Sequence, residues 1–463
     1  MSAWLLRPLG ASWKLWAISI LLIAGISASS LYLTTHVLLT QILVFGLINI
    51  ISIWAYLKKN KTMTGFTSVT VMFVFFFFLY GITYPLDALL NNASGISEDN
   101  VISTVNVYLI SNISLVGGIF FSQFFKVKQL TMARNKSVTD HENFLIPSLV
   151  LLFIGISLML YDQYRLGGLN VIGIENRMNN FIAQRQSNNL ALPWKMMITA
   201  AFFGWAQSVT TKKQMSVLFT GLILLSLFYF FGLGSRSLIL MTILPAFSCL
   251  LVKKQIKLSK TKKIIIVLFV ISMMSPIFNN ARQALIQGKS YSSVSEQQWS
   301  LSEGETGTAF QITNDIKGAT IYPEADPSYL TGVLYFLPSS IYQFIFQHPK
   351  PMNMGDWYVW YFHPYTYKHG GGMGFSPVAQ AWMNGELFGV VAVFFILGVL
   401  LFYLDRSRWL KYLILPFTIW FQRSSFHSVM TDILFIICFF GMVYIASILI
   451  QRPHKKSLYE ARL

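Results

Sequence analysis

Three arginines stand at the ends of long apolar runs, each in a short polar motif. Arg236 lies in Gly234-Ser235-Arg236-Ser237, Arg282 in Asn279-Asn280-Ala281-Arg282, and Arg423 in Gln422-Arg423-Ser424-Ser425. Arg165, Arg177 and Arg185 follow an earlier apolar run, around Gly167-Gly168. A guanidinium at a membrane interface is costly unless it finds an anion. Its planar fork matches phosphate oxygens. Several such forks converging on one face point to a pyrophosphate headgroup. The competing account is snorkelling to lipid phosphates, or pairing with loop carboxylates.

A second motif is Gly370-Gly371-Gly372-Met373-Gly374-Phe375-Ser376-Pro377. Ser376 and Pro377 fit the N-cap and first position of a helix. Gly372 and Gly374 let backbone approach a ligand closely, and the N–H groups of that helix start could hold an anion. A tight turn alone accounts for the glycines equally well. Seven of the eleven residues 357–367 are aromatic. Trp357 and Trp360 among them could stack on sugar rings or isoprenoid, or the stretch forms an interfacial aromatic belt. A base for a sugar hydroxyl should be an imidazole or carboxylate near the membrane surface. His363 and His369 beside the glycine run have the best position, and Glu305 and Asp315 are among the carboxylates of the same loop. Asp356, His363 and His369 have no spacing specific to a metal, so neither a metal nor a cofactor is assigned. His427 and Asp432, near the start of the last apolar run, serve the site or pair with Arg423.

The elements that position these groups follow from composition. Of 463 residues, 54% are hydrophobic and 11% charged, and the mean hydropathy is +0.55. A soluble domain carries about 25% charged residues. So few charges cannot cover a globule in water, which excludes a soluble enzyme, a coiled coil and a disordered chain. The chain reads as an all-α polytopic membrane protein forming one integral domain over 1–463. Twelve spans are expected at 15–33, 37–57, 66–86, 102–125, 144–162, 194–211, 215–233, 237–252, 264–279, 377–404, 409–422 and 427–450. With the N-terminus inside, 24 of the 35 Lys and Arg fall on the cytoplasmic side. This bias puts both termini in the cytoplasm and the 280–376 loop outside. The net charge of +17 then reflects the membrane and needs no nucleic acid. Within that loop, 329–346 is interrupted by Pro338 and is expected to form an in-plane or re-entrant helix. Cys249 and Cys438 both lie in apolar runs, so no disulfide framework is expected. No cleavable signal peptide is expected either.

The run 370–401, with its glycine turn, Phe-Ser-Pro and glycine-rich span, resembles the C-terminal signature of the Wzy-type O-antigen polymerases. The Gly-x-Arg-Ser turn at 234–237 and Arg423 before the last span also match that family. So does Leu337-Pro338 to His348-Pro349-Lys350-Pro351, which looks like its loop helix ending in a Pro-rich turn. The resemblance covers most of the C-terminal half. One departure is Gln380, where the family often has Glu after Ser-Pro-x-Ala.

The resemblance implies a GT-C-like glycosyltransferase of the bacterial inner membrane. It would move the growing glycan from undecaprenyl diphosphate to the terminal sugar hydroxyl of a new undecaprenyl-diphosphate-linked repeat unit, at the periplasmic face. A flippase and a chain-length regulator are the partners it implies. On this reading Arg236, Arg282 and Arg423 hold the pyrophosphate, Arg165 and Arg177 hold a second one, and His363, His369 or Glu305 is the base. No nucleotide-binding motif is present, and the lipid diphosphate carries its own activation. A ligase transferring finished polysaccharide to lipid A-core shares this chemistry. A flippase or transporter would instead show charges deep in many spans, whereas here most spans lack them.

Overall fold

The structure is a computed structural model that describes residues 34–59, 67–91, 95–124, 144–168, 192–233, 235–253, 304–369 and 372–460, with residues 173 and 182. Among the described residues every regular element is helical. In lipid a helix satisfies its backbone N–H and C=O groups within one segment.

In chain order the helices are α1 (Thr34–Lys59), α2 (Val69–Asn91), α3 (Glu98–Ser122), α4 (Leu145–Leu166), α5 (Trp194–Ser208), α6 (Lys212–Leu227, continued by a π-helical turn at Phe228–Gly232) and α7 (Arg236–Val252). The loop then supplies α8 (Glu305–Gly318), α9 (Tyr329–Leu334), α10 (Ser339–Phe346), α11 (Met354–Phe362) and α12 (Pro364–Lys368). The chain closes with α13 (Pro377–Met383), α14 (Glu386–Leu404), α15 (Leu410–Leu413), α16 (Phe417–Trp420) and α17 (Phe426–Glu460). Among the described residues seven helices are long and apolar enough to cross a membrane: α1, α2, α3, α4, α6 with its π turn, α14 and α17. The helix α7 is apolar but shorter.

Two expected spans need correction. The run 377–404 is not one helix. It breaks between α13 and α14, where Gly385 adopts φ 134° and the Asn384 amide donates to the carbonyls of Pro327 (2.9 Å) and Gln380 (2.8 Å). The run 409–422 is also not one helix, since Pro416 separates α15 from α16. Proline lacks the N–H that would continue the ladder and disfavours helical geometry in the residue before it. The expected spans 15–33 and 264–279 lie outside the described residues. The expected break at Pro338 is present, between α9 and α10.

Two contacts fix the frame. At one end, α14 finishes at Asp405, which is wholly buried. Its carboxylate accepts from Tyr56 Oη (2.8 Å), Ser68 Oγ (2.6 Å), Val69 N (2.7 Å) and Thr70 N (3.2 Å). A carboxylate at the first turn of α2 meets both free N–H groups and the positive end of the helix dipole. Nearer the middle, α3 and α14 cross with their backbones in contact. A methyl group on Gly118 would lie 2.0 Å from the Phe395 carbonyl oxygen, and one on Gly398 would lie 2.1 Å from that of Leu115. Small residues at such a crossing let helices pack closely where lipid supplies no hydrophobic driving force.

The loop helix α8 lies inside this frame. Its Phe310 ring stacks on Tyr84 of α2 (5.1 Å) and on Tyr108 of α3 (5.5 Å). Its other face, Ile312 and Ile316, packs into a second apolar cluster with Met354, Trp357, Tyr358, Val359 and Phe375. The helix is thus wedged between the bundle and the aromatic stretch of the loop, and each of its ends carries polar groups.

Candidate active site

Glu305 is the first residue of α8, Arg236 the first of α7, and Arg423 the last of the 3₁₀ turn Phe421–Arg423 that precedes α17. The three side chains meet. Arg236 donates to one oxygen of the Glu305 carboxylate and Arg423 to the other. Side-chain exposure is 8% for Arg236, 21% for Glu305 and 27% for Arg423. Arg236 and Arg423 thus share one loop carboxylate, that of Glu305. Two guanidinium groups facing one carboxylate leave positive charge in excess within this trio. Trp420 lies under the Arg423 guanidinium at 5.1 Å, which adds a cation–π contact.

The trio sits well into the bundle. Tyr80 of α2 is buried beside it and lies in the electrostatic field of all three groups. That residue is about 16 Å along α2 from Val69, at 1.5 Å per residue. Its hydroxyl makes no hydrogen bond among the described residues. A buried phenol normally finds a partner, so this hydroxyl stands out among the groups beside the trio.

The glycine motif has a definite task here. Gly374 adopts φ 82°, and Phe375 N donates to the Arg423 carbonyl (3.0 Å). A methyl group on Gly374 would lie 2.3 Å from that same oxygen. The glycine turn thus holds the backbone of the arginine turn. Ser376 caps α13 by accepting from Ala379 N, as its place before Pro377 predicts. It is fully buried and also accepts from Thr313 Oγ1 of α8 (2.8 Å). The Gly-Phe-Ser-Pro turn therefore clamps Arg423 on one side and the Glu305 helix on the other. The start of α7 is tied back similarly, by Ser235 N donating to the Tyr229 carbonyl (2.8 Å) in the π-helical turn.

These motifs assemble one site from distant parts of the sequence, and the whole sequence points the same way. The family model for the O-antigen polysaccharide polymerase Wzy matches residues 15–456. The chain belongs to the O-antigen polymerase Wzy family. A search of curated proteins and a search of solved structures each found no match. The Wzy family makes this a multi-pass membrane enzyme of O-antigen polymerisation, a glycosyltransferase-type activity on lipid-linked repeat units.

The other residues singled out in the sequence fall into separate places. Arg177 and Arg282 lie outside the described residues. Arg165 pairs with Asp162 (2.8 Å), which also accepts from Trp194 Nε1 (3.0 Å) at the junction of α4 and α5. Gly372 is exposed at the mouth of the glycine turn. Trp357 is a core residue, 1% exposed, with its indole N–H on the Pro323 carbonyl (2.8 Å). Trp360 is partly buried at the edge of the same cluster. His369 is exposed, with Nδ1 against the Tyr365 carbonyl (2.8 Å). His363 lies near the far end of α8. Its Nε2 is 3.3 Å from Tyr358 Oη, which donates to Asp315 (2.5 Å). Burial and the adjacent Asp315 carboxylate push the Tyr358 phenol far above its ordinary pKa, so it stays protonated. Among the described residues no three His, Cys, Asp or Glu side chains gather to hold a metal ion.

Gln380 occupies the position where the family often has Glu. Its amide donates to the Pro327 carbonyl (2.9 Å) and lies 3.3 Å from His427 Nδ1, while its oxygen accepts from Phe426 N (2.9 Å). A carboxylate could not donate to Pro327, so the amide suits this chain's own loop. Tyr80, Thr313 and Asn353 are contributors that the sequence reading did not single out. Asn353 caps α11 through Gly355 N (2.9 Å), accepts from Ser425 Oγ (3.1 Å), and bonds Ser428. A lone phenol in the Phe-rich run 73–80 is the one signal that sequence offered for Tyr80.

Gly374→Ala tests the clamp. The side chain forces a left-handed backbone costing roughly 1–2 kcal/mol and pushes against the Arg423 carbonyl. Polymer formed per enzyme is expected to fall about tenfold, the effect of 1.4 kcal/mol on the barrier, with the thermal midpoint lowered by only a few degrees. Unchanged polymer would separate the glycine turn from the arginine site.

Proposed function

We propose that this polymerase transfers the growing glycan from undecaprenyl diphosphate to the terminal sugar hydroxyl of a new undecaprenyl-diphosphate-linked repeat unit. The reaction takes place at the periplasmic side of the inner membrane, within a GT-C-like helical bundle whose termini are cytoplasmic. The supporting observation is the convergence of Arg236 and Arg423, from turns nearly two hundred residues apart, on one carboxylate, that of Glu305.

In the proposed reaction the acceptor oxygen forms a bond to the anomeric carbon of the donor sugar, and the bond from that carbon to the diphosphate breaks. Both electrons of the broken bond leave with the diphosphate. Arg236 and Arg423 neutralise the charge that develops there, with the Tyr80 hydroxyl as a further donor. Donors fixed in a site that excludes water stabilise developing charge far better than mobile water. The acceptor proton passes to Glu305, the carboxylate nearest the leaving group. Glu305 bridges the arginines that the diphosphate needs, so substrate and carboxylate exchange partners on binding. Released from two cations and placed beside an anion, the carboxylate becomes a better base. On this reading neither His363 nor His369 is the base.

The test is reconstitution. Purified protein is given undecaprenyl-diphosphate-linked repeat units without nucleotide, and the glycolipids are resolved on a gel. A ladder of lengths is expected. Intact substrate, with transfer only to a lipid A-core acceptor, would assign the ligase reaction instead.

A further inference from the structure

At the end of α8 opposite Glu305 there is an open hollow of about 490 Å³. Asn100 of α3, Asn314, Asp315 and Lys317 of α8, and His363 line it, together with Phe362 and the small residues Gly318 and Ala319. Its polar groups are held in place. Asp315 accepts from Tyr358 Oη (2.5 Å), Thr104 Oγ1 donates to Asn314 Oδ1 (3.3 Å), and Lys317 Nζ donates to Ser103 Oγ. The charge pattern differs from that of the arginine site. One carboxylate, one ammonium, two carboxamides and an imidazole supply both donors and acceptors, with the carboxylate and ammonium balancing each other. Such a lining suits uncharged hydroxyl and amide groups better than a diphosphate. Glu305 and Asp315 are ten residues apart on one straight helix, which places the two sites about 15 Å from each other at 1.5 Å per residue. That is the reach of a short oligosaccharide, beyond that of a single sugar.

We infer that this hollow is a carbohydrate subsite, which holds a sugar of the repeat unit several rings away from the reacting end while the diphosphate end lies at Arg236 and Arg423. It rests on the transfer reaction proposed above and adds to it a second point of substrate recognition, with α8 as the rod between the two. The subsite reads the identity of the glycan, and the arginine site reads only the diphosphate shared by all such lipids.

The experiment uses the full-length protein in detergent and the repeat-unit oligosaccharide released from its lipid by mild acid, so that no diphosphate is present. Binding is followed by saturation-transfer NMR and calorimetry. Asn100 is exposed and on the rim, so Asn100→Trp fills the hollow without disturbing the core, and Asn314→Ala removes one polar partner. Wild type is expected to bind the free oligosaccharide. Asn314→Ala should weaken binding about tenfold, Asn100→Trp should abolish it, and Arg423→Ala should leave it unchanged. In turnover, Asn314→Ala should raise KM for the lipid-linked unit about tenfold with kcat retained. Binding unaffected by Asn100→Trp and Asn314→Ala, or lost equally in Arg423→Ala, would overturn the subsite. A wild-type protein that binds the oligosaccharide but makes no ladder would overturn the transfer reaction and leave the subsite standing.

Discussion

Arg423→Ala should leave a membrane-inserted protein that makes no polymer, and Arg236→Ala should do the same. Removal of one fixed donor from a site that stabilises developing charge lowers turnover by about 10²–10³-fold. A polymer multiplies that loss, because each added repeat needs another passage through the same site, so the long rungs vanish before the short ones. The variants separate function from fold. The Arg423 backbone is held through the glycine turn, by Phe375 N on its carbonyl, so loss of the side chain leaves the turn in place. Arg423→Lys restores the charge without the fork and should recover only a small fraction of activity. The measurement is the ladder from reconstituted enzyme, normalised to protein in the membrane. Wild-type chain length from either alanine variant would remove the arginines from the mechanism.

The largest split between binding and turnover is expected from Glu305→Gln. The amide keeps the shape of the side chain and loses its charge. Both arginines are then relieved of their internal counter-ion, and the incoming diphosphate no longer has to displace it. Binding of the lipid-linked donor should tighten by about tenfold, the effect of 1.4 kcal/mol. Turnover should fall, because loss of a general base costs about 10²–10⁴-fold. The second effect exceeds the first, so kcat/KM falls even as affinity rises. A carboxylate that served only to hold helices together would behave differently, since affinity and turnover would then decline together with the thermal midpoint. Weaker donor binding by Glu305→Gln, or an unaltered ladder, would show that Glu305 is not the base.

The long apolar runs were legible in the sequence because a membrane helix must be apolar along its whole length. Residues 37–57, 66–86 and 427–450 needed no tertiary information. The breaks in 377–404 and 409–422 were not legible from hydropathy, which is indifferent to where a ladder stops. The arginine motifs were found by their misplacement in apolar surroundings, and Arg236 and Arg423 do meet. That Glu305 meets them could not be read, because nothing in a loop carboxylate marks which of several it is. The glycine turn was read as a place for ligand to approach backbone, whereas the close approach of Gly374 is to the backbone of Arg423. Trp357 illustrates the same limit. Aromatic residues in a loop look like a stacking platform, yet this ring is spent on the core that seats α8.

Asp405 sets a schedule for synthesis. Its carboxylate receives the hydroxyl of Tyr56, 349 residues earlier, and that of Ser68, 337 residues earlier. At about 5–20 residues per second, a nascent chain waits roughly 17–70 s between making the first turn of α2 and making the group that caps it. For that interval the first turn of α2 lacks its carboxylate, with the N–H groups of Val69 and Thr70 still unclaimed. Arrival of Asp405 latches the earliest part of the chain to nearly the last. Ribosome-bound chains arrested before residue 405 should therefore be open to proteolysis at Ser68–Thr70, and chains arrested well beyond it should be closed there.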